Sequence, residues 1–274
     1  MTGVVDSEAI RAFEHSRWQR AAPVYAASFA TATRLFSDAL LDAAGVRVGT
    51  RMLDLACGPG IVTAIAATRG AIPRGLDFSS AMLAVARASH QGVEFVEGDA
   101  EAPPFPDGAF DAVVSNFGIH HVPRPALALT AAHRVLRAGG RVAFSFWAEP
   151  TKNVAWKLLF DAVRRCGDPR AASAAQPPGG GFATAQDCLD ALSAAGFADV
   201  RAQLEQRIWR HADAAGLVAA LRAGTARMAA MIEAQPPDLL PAIIADIEAN
   251  AAAFRDANGL ALPVAAVIAS GAKG

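Results

Sequence analysis

Residues 51–63 read Arg-Met-Leu-Asp-Leu-Ala-Cys-Gly-Pro-Gly-Ile-Val-Thr. An apolar run from Met52 to Ala56, carrying one acid at Asp54, passes into Cys57-Gly58-Pro59-Gly60, and helical spacing begins at once with Ile61, Ile65 and Ala66. This is a buried strand, a glycine turn and a helix start with almost no loop between them. Glycine has no Cβ, so a ligand can approach bare backbone at such a turn. The first N–H groups of the next helix have no partner inside it and point at whatever lies there. The feature predicts a bound small molecule of nucleotide type.

The flanking sequence repeats the alternation. Strands are expected at 51–56, 71–77, 93–98, 110–116 and 141–147, with helices at 60–69, 79–89 and 123–137. Ser79 or Ser80 is the candidate cap of the second of these helices, and Gly139-Gly140 is expected to end the third. Residues 103–108 (Pro-Pro-Phe-Pro-Asp-Gly) read as a loop. Strand–helix alternation at this spacing implies right-handed crossovers and a parallel sheet with helices on both faces. Ligands of such sheets sit at the carboxyl ends of the strands. Asp54, Asp77, Asp99 and Asn116 all fall at or near those ends.

Outside this region the pattern changes. Residues 8–45 have helical spacing and an aromatic load (Phe13, Trp18, Tyr25, Phe29, Phe36), which predicts two helices broken near Pro23. Residues 153–166 read as a helix, and 168–181, with three prolines and three consecutive glycines, as an irregular connection. A helix at 184–195 begins with a Thr184–Asp187 capping arrangement, and 199–207 alternates like a strand. Alanine-rich helices are expected at 212–234 and 239–256, split by Gln235-Pro236-Pro237, before a last strand at 262–270.

Composition removes several function classes. Formal net charge is −1 with no basic block, so a charged surface for nucleic acid is not expected. The apolar stretch at 260–269 is too short to span a bilayer, and residues 1–12, with Asp6, Glu8 and Arg11, do not read as a signal peptide. The three cysteines (Cys57, Cys166, Cys188) are scattered, which fits reduced thiols in a cytoplasmic protein. His120 and His121 have no Cys or His partner at ligand spacing, so no metal is expected.

Two nucleotide-like ligands use a glycine turn after the first strand. Dinucleotides call for G-x-G-x-x-G, but the third glycine position is Thr63. The tyrosine and lysine of short-chain reductases are also missing, since the single tyrosine, Tyr25, is followed four residues later by Phe29. The other ligand is S-adenosylmethionine. Residues 53–60 (Leu-Asp-Leu-Ala-Cys-Gly-Pro-Gly) resemble the first motif of class I S-adenosylmethionine-dependent methyltransferases. Residues 75–83 (Gly-Leu-Asp-Phe-Ser-Ser-Ala-Met-Leu) resemble the second, 98–100 (Gly-Asp-Ala) the third and 110–116 (Phe-Asp-Ala-Val-Val-Ser-Asn) the fourth. Residues 134–141 resemble the turn before the fifth strand, so the likeness runs over about 40–150. Within the class, the chain is most similar to the ubiquinone/menaquinone-type small-molecule methyltransferases, methyltransferase type 11. Ala56 departs from it, standing where that group has glycine.

The resemblance implies an α/β, Rossmann-like, mostly parallel seven-stranded sheet with an N-terminal helical lid and a helical insertion before the last strand. It divides the chain into a lid at 1–46, a cofactor-binding core at 47–150, completion of the core at 151–211, a helical cap at 212–257 and a final strand at 258–274. It also implies S-adenosyl-L-methionine as cofactor and S-adenosyl-L-homocysteine as product, with a small-molecule acceptor as partner. The implied cofactor residues are Asp54, Ala56, Gly58, Gly60, Asp77, Phe78, Met82, Asp99, Ala100 and Asn116. Asp77 would accept from the ribose hydroxyls and Asp99 from the adenine amino group, with Phe78 and Met82 against the adenine. Asp54 either holds the turn or meets the cofactor's amino group.

Methyl transfer from a sulfonium needs alignment and exclusion of water, and a base only where the acceptor must lose a proton. His120 and His121 are the candidate bases; the alternative is that they shape the loop before Pro123. Trp18, Tyr25, Phe29 and Phe117 are candidates for the lid and acceptor wall, with Trp209, Met228 and Met231 as further liners. An apolar or aromatic acceptor is expected. Two other functions remain open: a non-methylating reaction on the same cofactor, and a non-enzymatic regulatory module.

Overall fold

The computed structural model describes residues 7–174, 182 and 184–274. One sheet organises it. Strands β1 (Arg51–Leu55), β2 (Ile72–Asp77), β3 (Glu94–Glu97), β4 (Phe110–Asn116) and β5 (Leu136–Trp147) are parallel, and β8 (Gly259–Lys273) runs antiparallel between β5 and β6 (Phe197–His211). The order is β3-β2-β1-β4-β5-β8-β6, the seven-stranded path that the sequence implies, with a two-residue β7 (Arg255–Asp256) added alongside β8. The chain leaves β1 toward β2 on one side and reaches β4 on the other. The crevice at the carboxyl ends of β1 and β4 is therefore the topological switch point, where open α/β sheets bind ligands.

Side chains of the central strands divide by period two. Met52, Ala112 and Val114 pack with α3 (Ser37–Ala43) and α4 (Ile61–Thr68) on one face. Leu53, Leu55 and Val113 pack with α6 (Pro125–Val135) and α9 (Ala185–Ala194) on the other. In β8 the same alternation sends Ala265, Val267 and Ala269 to that second core. Leu260, Leu262 and Val264 go to a third core, beneath α7 (Val154–Cys166), α10 (Ala214–Gly224) and α12 (Leu240–Asn250). Being buried on both faces, β8 reads as one continuous apolar run.

Several boundaries depart from the sequence reading, among them the helix expected at 239–256, which ends at Asn250 and gives way to β7 at Arg255–Asp256. α1 (Ser7–Tyr25) runs through Pro23 and ends two residues later, because a proline near a helix end removes only one backbone bond. The short helix α2 (Ala30–Thr33) follows it. The helix expected at 212–234 is two helices, α10 and α11 (Arg227–Glu233), bent by 115°. Thr225 makes the break: its hydroxyl donates to the Leu221 carbonyl at 2.7 Å and accepts from the Ala229 N–H at 2.9 Å, closing one helix and opening the next. The connection expected at 168–181 begins as a helix, α8 (Pro169–Ala174); residues 175–181 lie outside the described part. β5 starts at Leu136, before Gly139-Gly140, so α6 ends earlier than the glycines suggest. Between β2 and β3 lies α5 (Ser80–Ser89), capped by the Ser79 hydroxyl as expected. Among the described residues no single helix is long and apolar enough to cross a membrane.

A buried asparagine joins the two halves of the sheet. Asn153 Nδ2 donates to the carbonyls of Ala148 (2.8 Å) and Ala265 (3.1 Å), and its Oδ1 accepts from the Ala265 N–H at 2.8 Å. Alanine here would strand buried polar groups on both segments, each worth about 1–3 kcal/mol. Asn153→Ala is expected to lower unfolding stability by about 3 kcal/mol in urea titration, with the denaturant slope unchanged.

Candidate active site

A cavity opens at the carboxyl ends of β1, β2 and β4, with α1 across it. Its floor is the β1–α4 turn. Ala56 (φ 55°) and Gly58 (φ 55°) both take left-handed backbone there and line the cavity. Gly60 (φ 78°) has a different task. It is not among the lining residues, and a Cβ on it would sit 2.6 Å from the Phe95 ring. Gly60 thus lets α4 start against β3, while Gly58 leaves bare backbone on the cavity wall.

Ala56 keeps a conformation that glycine would adopt without strain. Room for its methyl group comes from Gly118, where a Cβ would lie 2.6 Å from the Ala56 Cβ and 2.9 Å from Ser115 Oγ.

Asp77 fixes the turn. One carboxylate oxygen accepts from the Gly58 N–H (2.8 Å) and the other from the Ser79 N–H (2.9 Å). Burial pushes its pKa up to about 6, opposed by the N–H groups of Ser79, Gly58 and Phe78. Asp54 is 1% exposed; Thr63 Oγ1 donates to its Oδ2 at 2.7 Å, while Oδ1 is buried without a partner. Burial pushes Asp54 up to about 7, with the Asp77 charge adding and the Thr63 hydroxyl opposing. Both carboxylates line the cavity.

Asp99 and Ala100 form another part of the wall, with Phe78 and Met82. Asp99 Oδ2 is 2.6 Å from Arg11 Nη1 of α1, and its Oδ1 accepts from the Glu101 N–H at 2.9 Å. The Phe78 ring meets His15 of α1 edge-on at 5.3 Å. Asn116 lines the cavity, but its side chain is engaged elsewhere: Oδ1 accepts from Ser145 Oγ (2.7 Å) and Nδ2 donates to the Thr33 carbonyl (3.1 Å). Position, rather than amide chemistry, places it at the site. Phe117 (φ 54°) follows, stacked on Trp147 at 4.0 Å.

The aromatic candidates separate. Trp18 and Tyr25 line the cavity beside His121 and Phe117. Burial pushes the Tyr25 phenol up to about 12, opposed by its hydrogen bond with Thr33 and reinforced by Asp77. Phe29 does not line it. It is 4% exposed, in a ring cluster with Trp147, Trp156 and Trp209, because apolar surface from α7 and α10 covers it. Trp209, Met228 and Met231 belong to the same core rather than to the cavity.

The two histidines also separate. His121 lines the cavity, and its Nδ1 is 3.0 Å from Glu14 Oε2 of α1. His120 lies behind it with a buried, unpartnered Nδ1. Burial first, then the charges of His121 and Arg227, push its pKa well below the usual histidine value, so it stays neutral and away from the cavity. Sequence reasoning missed Glu14, Arg11 and Thr33, which reach the site from α1 and α2 and carry no motif.

Residues 53–144 match the family model described as a methyltransferase domain. Demethylmenaquinone methyltransferase of Beutenbergia cavernae is 41% identical over 117 residues, covering 43% of this chain and 49% of that protein. The chain thus spans about half the length of the curated relatives it matches. The YcgJ protein of Bacillus subtilis aligns with TM-score 0.55 at 20% identity, over 86% of this chain and 97% of that one. A phosphoethanolamine N-methyltransferase 2 of Haemonchus contortus, solved with S-adenosyl-L-methionine, aligns with TM-score 0.54 at 18% identity, over 87% of this chain and 52% of that one. At these identities the structural likeness is one of fold.

The Ala56–Gly118 contact is testable without a ligand. Gly118→Ala is expected to cost about 2 kcal/mol through overpacking. In an Ala56→Gly background that cost should fall by about 1 kcal/mol in a double-mutant cycle read by urea unfolding. Strict additivity would show that the two residues do not press on each other.

Proposed function

From the membership of residues 53–144 in the methyltransferase-domain family, we propose that this chain transfers a methyl group from S-adenosylmethionine to a small aromatic acceptor, leaving S-adenosylhomocysteine. The observation that carries the reading is the gathering of the glycine turn, Asp54, Asp77, Asp99 and Ala100 around one cavity. The buried, unpartnered Oδ1 of Asp54 fits a ligand bearing an ammonium group. When bound, the cofactor supplies a methyl carbon already activated by a sulfonium leaving group.

The chain's own residues hold and align. Gly58 gives backbone access. Asp77 retains lone pairs beyond its two N–H bonds and accepts from ribose hydroxyls. Asp99 accepts from the adenine amino group, between Phe78 and Ala100. His121, on the wall with Trp18 and Tyr25, takes a proton from an acceptor that must lose one. The name of the matched relatives, demethylmenaquinone methyltransferases, supports an aromatic, quinone-type acceptor. The free cysteines support a reducing, cytoplasmic setting. A non-methylating reaction on the same cofactor, or a regulatory module, would leave these acids in place; product mass separates them from methyl transfer, which adds one methylene.

Asp77→Asn is expected to weaken S-adenosylhomocysteine binding by about 10–100-fold in calorimetry, the range for one charge-assisted hydrogen bond. Tight NAD binding with none of this ligand would overturn the reading. The pH dependence has a definite sign. Asp54 and Asp77 titrate at about 7 and about 6, above their ordinary 3.8. These raised values favour the ligand-free fold below about pH 4, and that contribution is lost as pH rises to about 7. Ligand binding needs the ionised acids, so affinity should rise from pH 5 to 8, with proton release visible as a buffer-dependent enthalpy. A flat affinity profile would contradict this assignment.

A further inference from the structure

β6 is an edge strand, the last in the sheet order, with β8 on one side and no strand among the described residues on the other. Its ladder to β8 shifts register only before Arg201 and then runs without a break to His211. Edges of this length are ordinarily blunted by lysine, proline or a bulge. Arg201 to His211 contain neither lysine nor proline. On one face Val200 and Ala202 pack on the core that includes α9, but further along Leu204 is 45% exposed and Ile208 47%. On the other face Glu205 accepts from Arg207 Nη1 at 2.8 Å and from Gln203 Nε2 at 3.1 Å. Arg207 is held in turn by its Nε, which donates to the Leu35 carbonyl at 3.1 Å.

We infer that this edge binds β6 of a second copy of the chain, antiparallel about a two-fold axis at Gln206, joining two sheets into one. The argument is self-complementarity. A two-fold axis normal to the sheet keeps each face on its own side, so residues that meet across it come from the same face, and the residue on the axis defines the register. With Gln206 on the axis, Leu204 lies opposite Ile208 and Glu205 opposite Arg207, each pair occurring twice. The two glutamates and two arginines then form a square of alternating sign, and the four exposed apolar side chains cover one another. The neighbouring registers fail. An axis one residue either way sets Glu205 on Glu205 or Arg207 on Arg207, and an axis two residues either way separates both favourable pairs. β5 and β8 stand between β6 and the strands β1 and β4 that hold the cavity, so the pairing leaves the cavity open. An edge contact of this kind is at the small end of specific interfaces, which corresponds to a reversible dimer with Kd of about 1–100 μM.

Sedimentation equilibrium on the full chain over about 1–100 μM tests this. Wild type should approach twice 28.3 kDa as concentration rises. Glu205→Arg and Arg207→Glu each put like charges across the axis and should weaken the dimer at least about tenfold. An equimolar mixture of the two variants should recover wild-type association as a heterodimer, because residues 205 and 207 then meet with opposite sign at both contacts. Gln206→Cys should give a disulfide-linked dimer on mild oxidation, since residue 206 faces itself, whereas Leu204→Cys, with the same native thiols, should not. A wild type that stays monomeric at the highest concentration overturns the inference. So does a dimer that neither charge reversal weakens, or a mixture that does not recover. Should Arg207→Glu not fold once its bond to Leu35 is lost, the contrast between Gln206→Cys and Leu204→Cys decides: equal cross-linking of the two overturns the register.

Discussion

The carboxylate of Asp77 accepting N–H groups from Gly58 and Ser79 is the contact on which the cofactor half of the site depends. It ties the turn after β1 to the start of α5 after β2, carrying the β1–β2 pairing past its last bond, from the Cys57 N–H to the Leu76 carbonyl. A buried carboxylate without donors would be costly, and with two N–H donors it is held in place. The same burial leaves Asp77 and Asp54 raised, two acids in one apolar pocket, with the Asp77 charge making Asp54 harder still to ionise. Such a site is unfavourable when empty and is relieved by a ligand that brings hydroxyl and ammonium donors. Ligand-free strain and ligand affinity thus have one origin.

Helix α1 is fastened across the cavity by polar contacts of very different strength. Arg11 meets Asp99 with both side chains about one-third exposed, a pair worth at most about 1 kcal/mol. Gln19 accepts from Ser79 Oγ and the Ala81 N–H and donates to Ser80 Oγ, bridging α1 to the start of α5. Glu14 is fully buried, so removing one partner there would leave an uncompensated charge, and it is the strongest fastening. Arg11 also touches the acid that would read the adenine. Arg11 also pairs at 3.2 Å with Glu101, whose side chain is 3% exposed, so both ends of this contact face are held by charge pairs that include a buried carboxylate.

The sequence carried the cofactor half of the site because local periods determine it. Strand ends follow from two-residue alternation and glycine turns, and Asp54, Asp77, Asp99 and Asn116 fall where those ends fall. Both strands of the β6–β8 pair were legible, but the length of β6 was not: it runs past the expected 199–207 to His211, since an exposed residue such as Arg210 continues a strand only because β8 lies beside it. The lid was legible as aromatic helix and no further. Trp18, Tyr25 and Phe29 look alike in a sequence, and only the apolar surface of α7 and α10 draws Phe29 into the core while the other two face the cavity. Glu14 gave no sign, because a charged residue on a helix ordinarily marks a solvated face.

Gly60 shows how one motif serves two purposes. The glycines at 58 and 60 read as a single ligand-binding signal, yet 58 faces the cavity and 60 faces Phe95. The turn must be narrow for α4 to begin directly after β1, and this narrowness brings backbone within reach of a ligand. Packing behind the turn and binding in front of it are thus coupled: a side chain at 60 would push α4 off β3 and move Gly58 with it. Ala56 and Gly118 repeat the arrangement across the cavity, where a methyl group on one loop is matched by the absence of one on the other. The cofactor wall is therefore set by backbone clearances between neighbouring loops, which a motif records. The opposite side of the cavity is set by side chains from α1 and from the turn after β4, which a motif does not record.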